Sequence, residues 1–226
     1  STQGVSSAAS DVYKRQEGLI PYRAEFIQWD TYGTQGYFNV EYSVNNGVSW
    51  STIGNQVNGS SRIKQWPIPN SVSGEVLIRI SRDGISGQSS DVFSIIDFPK
   101  NIKINNVCEC DFSISLNAVP FAAEYEISVL GEKYMDSIGS TTETSYNIPI
   151  DNPSDEVWFS VRAITENGTK GVRAVAEFYD GSGVSNCSLN SNFYTNKSQL
   201  CTDLPVNLYD QTIGCPTNWQ WSFLPN

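Results

Sequence analysis

Histidine is missing from all 226 residues, and cations are scarce: 14 Lys and Arg stand against 24 Asp and Glu, a net charge of −10. Without histidine the sequence holds no Ser-His-Asp or Cys-His catalytic set and no His-ligated metal. The acidic balance argues against nucleic acid as a partner and against an electrostatic anchor on an anionic membrane. No run of 18 apolar residues occurs, so no transmembrane helix or membrane insertion is expected. No Gly-rich phosphate loop follows a strand-like run, and no Ser, Cys or Lys sits in a recognisable nucleophile context. The sequence therefore predicts no catalytic residue, no metal ligand and no cofactor.

What is present suits extracellular β-domains: 12% aromatic residues, few charges, and abundant Ser, Thr, Asn and Gly. In residues 36–44, Phe38, Val40, Tyr42 and Val44 alternate with Asn39, Glu41 and Ser43, the period-2 pattern of a strand with one buried face. Asn46-Gly47 follows at once, a two-residue signal that supplies positive φ for a hairpin, and Trp50 begins the return strand. Pro67 and Pro69 bracket Ile68 and argue against a central strand there. Further strand-like runs fill 18–97, and none has helical periodicity. A second series lies near 101–107, 112–117, 123–130, 133–138 and 145–150, with two more strands in 156–178, the pattern of a Greek-key sandwich. The expected class is all-β: tandem sandwiches over 18–97 and 98–186, and an incomplete third β-domain over 190–226.

Particular stretches carry resemblances. The run containing Phe38, Tyr42, Asn46-Gly47, Trp50, Trp66 and residues 76–81 resembles the immunoglobulin-like module of secreted multidomain Bacteroidota proteins, with Asn46 where Asp is usual. Residues 158–168 resemble the sixth strand of fibronectin type III: Phe159, Val161, Ala163 and Gly168 fall on its signature. Phe159 replaces the tyrosine of the tyrosine corner, and Leu116 stands where many such domains keep a core Trp; both changes preserve apolar bulk. Residues 131–139 resemble type III modules of the same secreted proteins, some of them subtilisin-like peptidases. In the third segment Phe193, Cys201, Val206, Trp219, Trp221 and Phe223 resemble the first half of a polycystic-kidney-disease (PKD) domain. Residues 6–16, finally, match the translation of a sequencing-library adapter. They are expected to be unstructured, residues 1–16 are set aside, and the chain is expected to be a fragment of a longer protein.

The remaining candidate chemistry has plain structural alternatives. Glu124 and Glu126 flank Tyr125 and are expected to point to water, and Asp151/Asp155 is read as a loop pair rather than acid/base machinery. Asp83 to Asp91 could ligate calcium but lacks the dense acidic alternation of a calcium loop, so a solvated turn is expected. Trp50, Trp66 and Trp158 could form a sugar-stacking platform, although Trp in a small sandwich usually belongs to the core. Sequons at Asn58, Asn167, Asn186 and Asn196 read as ordinary loop chemistry. Five cysteines without a Cys-x-x-Cys pair favour disulfides in an oxidising compartment over zinc. The expected bridges are Cys201–Cys215 and Cys108–Cys187, with Cys110 free or paired outside the fragment.

Together these readings predict a non-catalytic accessory, spacer and adhesion-type region of a secreted or cell-surface bacterial protein. Its partners would be neighbouring domains of the same chain and a cell-surface protein or glycan. The alternatives are the accessory part of a secreted subtilisin-like serine peptidase and a carbohydrate-binding or adhesin module.

Overall fold

The computed structural model describes residues 18–108, 110–182, 192–195 and 207–210, and no helix occurs among them. The adapter-like residues 1–16 lie outside this set, as do Cys187, Cys201, Val206, Cys215, Trp219, Trp221 and Phe223 of the expected bridges and PKD-like segment. Packing divides the chain into two compact units. One comprises residues 1–101, 116–144 and 158–177, the other 102–115, 145–157 and 178–226.

The first unit begins with β1 (Ala24–Gln28), β2 (Tyr37–Ser43), β3 (Ser51–Asn58), β4 (Ile63–Pro67), β5 (Ser73–Arg82), β6 (Ile85–Gln88) and β7 (Phe93–Ile95). β1 pairs with β4, while a second sheet runs β3-β2-β5-β6, with β7 also on β5. Alternation decides which side chains meet between them. Ile27 and Trp66 from the two-stranded sheet pack with Phe38, Val40, Ile78 and Ile80 from the larger one, together with Trp29. Trp29 meets Phe38 edge-on at 5.4 Å between ring centroids, and Tyr42 lies 5.2 Å from Trp66. Burying one such aromatic side chain contributes roughly 1.5–3 kcal/mol. Pro67 ends a strand of the two-stranded sheet, where its missing N–H costs no central ladder bond. Asn46 and Gly47 do adopt positive φ, 51° and 83°, and the Val48 N–H closes their turn on the Asn45 carbonyl. The expected hairpin is looser than two residues, because β2 stops at Ser43 and β3 starts at Ser51. The Ser43 hydroxyl accepts the N–H groups of Asn45 and Gly47 and so organises the intervening loop.

The same unit contains β10 (Glu124–Leu130), β11 (Met135–Thr141), β13 (Val157–Ile164) and β14 (Lys170–Arg173), in the order β11-β10-β13-β14. This repeats the order of β3-β2-β5-β6. Tyr125, Ile127, Phe159, Val161 and Ala163 are buried. Phe159 lacks a hydroxyl, but Tyr125 accepts the buried Val119 N–H at 2.8 Å.

Within this unit, residues 74 and 94–96 interlock with residues 165–171. The Ser94 hydroxyl donates to the Lys170 carbonyl and the Thr169 hydroxyl to the Gly74 carbonyl, each at 2.8 Å. A Cβ on Gly171 would lie 2.5 Å from the Ile96 side chain, and one on Gly18 would lie 3.0 Å from the Gly171 backbone. Only glycine permits such an approach. The connecting stretch is also tied down: Asp97 accepts the Phe98 N–H and pairs with Lys100 at 2.5 Å.

The second unit holds β8 (Lys103–Val107), β9 (Asp111–Ser115) and β12 (Ser145–Pro149) in one sheet, order β12-β9-β8. Phe112, Ile114 and Ile148 are fully buried. Tyr179 of β15 (Glu177–Tyr179) stacks on Phe112 at 4.6 Å, and its hydroxyl donates to the Pro153 carbonyl. β16 (Phe193–Thr195) pairs with β17 (Leu208–Asp210), and Tyr194 stacks on Tyr209 at 4.8 Å. The protein is thus all-β, with an immunoglobulin-like and fibronectin-like strand order occurring twice along the chain.

Candidate functional site

Two arginines organise one group of loops. The loop between β1 and β2, residues 30–36, bends through Gly33 and Gly36 at φ of 72° and 75°, and its carbonyls converge on guanidinium groups. Arg62 donates to the carbonyls of Gly59, Ser61, Thr31 and Gly33 at 2.8 to 3.3 Å. Arg82 donates to the carbonyls of Tyr32 and Gln35 and to the Thr31 hydroxyl at 2.7 to 3.2 Å, while its guanidinium lies 4.7 Å from the centre of the Phe38 ring. A planar, multidonor cation is suited to this task. Gly59 donates its N–H to the Gly36 carbonyl, and a Cβ there would fall 2.6–2.7 Å from three carbonyl oxygens. Opposite this loop, Asp83 and Gly84 form a tight turn with φ of 53° and 78° between β5 and β6. Three loops are therefore pinned together, leaving Tyr32 74% and Tyr37 61% exposed.

The tryptophans do not assemble the sugar platform weighed against a core role, and Trp66 follows the core reading. Trp66 is 1% exposed and belongs to the core, because its position in β4 alternates inward. Trp50 is partly covered by the Arg79 guanidinium, 4.1 Å from its ring, and Trp158 is 45% exposed on another sheet.

Glu126 also departs from expectation. It is 4% exposed and does not face open water. Its register places it opposite Arg162, which in turn pairs with Arg173, so charge runs across three strands. Arg162 and Lys170 each approach its carboxylate at 2.5 Å, with Arg173 at 3.8 Å. Burial pushes its pKa up, but the Lys170 hydrogen bond and the Arg162 charge outweigh burial and hold it below the ordinary glutamate value. Reading β10 as a one-sided strand missed this, and the opposing basic residues on β13 and β14 were the available signal. Glu124 instead accepts the Ser140 hydroxyl.

The other candidates serve the backbone. Asp155 accepts the N–H groups of Asp151 and Asn152 at 3.1 and 2.8 Å, capping their turn. Asp91 accepts the Ser90 hydroxyl, away from the Asp83 turn. Asn58 accepts from Ser60, and Asn167 from the Thr165 hydroxyl; Asn186 and Asn196 lie outside the described residues. Cys108 and Cys110 are both disulfide-bonded, so Cys110 is not a free thiol. Among the described residues no group of three or more potential metal ligands occurs, and no helix is long and apolar enough to cross a membrane.

No protein-family model and no curated protein matches the sequence. Among solved structures, the chain is similar to the FN1-FN3 domains of chicken CNTN1 at 12% identity and a TM-score of 0.33, over 72% of this chain and 64% of that one. It thus spans just under two thirds of that relative. It is also similar to a two-domain fibronectin type III segment of chicken tenascin, at 10% identity and a TM-score of 0.39, over 71% and 93%. A chain of a cytokine receptor complex is similar at 12% identity and a TM-score of 0.46, over 73% and 94%.

Proposed function

We propose that this chain is a non-catalytic accessory region of a secreted or cell-surface protein, in which sandwiches 18–97 and 98–186 set a fixed spacing and direction. The observation that carries this reading is the interlocked joint at Ser94, Ile96, Gly74 and residues 165–171. A flexible tether leaves its neighbours free to move, whereas direct contacts at a joint restrict that motion. Of the two candidate carboxylate pairs, Asp155 caps a turn and Glu126 is bound up in ion pairs, which supports a structural role for both. The natural partners of such a region are neighbouring domains and a surface protein or glycan.

Small-angle scattering of the intact chain tests the reading. One narrow distribution of dimensions is expected, broadened when Ser94→Ala and Thr169→Ala are combined. A broad distribution in the parent chain would overturn it. Hydrolysis of protein or glycan by the purified chain, abolished by one carboxylate substitution, would favour an enzyme instead.

A further inference from the structure

We infer that the clamped loops at 30–37, 58–62 and 82–85 form a binding site for a neutral polysaccharide. The inference goes beyond the spacer reading and stands on different residues. Its first support is exposed aromatic area on a rigid base: Tyr32 and Tyr37 remain 74% and 61% exposed although both belong to the clamped segment. The Tyr32 carbonyl is held by Arg82, and Tyr37 is fixed in register opposite Asn58. Preordered loops bind without the entropic cost of ordering, and tyrosine supplies contact area with few torsions to freeze.

The second support is the polar chemistry around those rings. Asp30, Thr34, Gln35 and Asn58 are exposed and present carboxylate, hydroxyl and amide groups. Sugars are recognised by this combination: ring faces for the apolar C–H surface and planar polar groups for the hydroxyls. An apolar protein partner would call for aliphatic area, and among these loops only Ile85 adds an exposed large aliphatic side chain.

Charge selects the class of glycan. Both guanidinium groups of the site are engaged by backbone carbonyls, and the acids Asp30 and Asp83 remain. On a chain of net charge −10, an anionic polymer would be repelled. A neutral polymer would not.

Affinity electrophoresis of the intact chain through gels containing galactomannan, xylan, mixed-linkage β-glucan or starch tests the proposal. At least one gel should retard the parent chain, and added salt should not abolish the effect. Combining Tyr32→Ala with Tyr37→Ala should weaken binding about tenfold or more at unchanged melting temperature, while Tyr32→Phe should retain it. Trp158→Ala, on a different sheet, should bind as the parent does. Retardation by none of the four polymers would overturn the site. So would retardation indifferent to both tyrosines, or binding restricted to a charged polymer and lost in salt.

Discussion

The Ser94 hydroxyl reaches the carbonyl of Lys170 at 2.8 Å, joining residues 76 positions apart. Beside them, Gly171 sits so close to Ile96 that a side chain has no room. Gly171→Val should therefore cost about 1–3 kcal/mol through overpacking. Thermal unfolding should show the loss, and scattering should show a looser chain. A variant as stable and as compact as the parent would remove Gly171 from the joint.

Acid should weaken the fold through Glu126. Its carboxyl titrates below the ordinary glutamate value when folded, so its contribution is fully present above that ordinary value. The contribution is lost as pH falls through the depressed folded pKa. Asp111 acts in the opposite sense: burial raises its pKa, so it favours folding at low pH and loses that effect as pH rises through the raised value. Glu126→Gln should lower stability near neutrality by roughly 3–5 kcal/mol, since buried Arg162 loses its partner. It should also flatten the acid limb of a stability-versus-pH curve measured by urea unfolding. An unchanged limb would show that the ion pairs do not govern it.

Trp66 and Trp50 should respond very differently to truncation. Trp66→Ala empties a site in the core and should cost about 3–5 kcal/mol, whereas Trp50→Ala uncovers the Arg79 stem and should cost about 1 kcal/mol or less. Paired urea titrations decide between this and equal losses, which would place Trp50 in the core as well.

Cysteine labelling of the native, unreduced protein should leave Cys108 and Cys110 unmodified, because both are already bonded. Five cysteines cannot all pair within one chain, so the alkylated residue should be Cys187, Cys201 or Cys215. Peptide mapping that finds Cys108 or Cys110 alkylated would overturn this expectation.

Strand positions were legible in the sequence because alternation is local. Phe38, Val40, Phe159 and Val161 are buried as their spacing requires. Trp66 was readable in the same way, since inward alternation places it in the core. Glu126 was not, because its burial depends on residues 36 to 47 positions further along the chain that register alone brings to it. The arginine clamp escaped for a related reason. Its acceptors are backbone carbonyls, which leave no trace in residue identity, and Arg82 lies 47 to 51 positions from the loop it holds.

That clamp has a consequence for the environments in which the loops keep their shape. A guanidinium does not deprotonate in proteins, and a carbonyl does not titrate. Bonds between them persist from acid to mildly alkaline media, and hydrogen bonds to neutral acceptors are far less sensitive to ionic strength than exposed ion pairs. While the unit stays folded, the clamp on the Tyr32 loop does not itself respond to the acidity that reaches Glu126. In brine or in sour medium, the clamp keeps its bonds for as long as the unit around it stays folded.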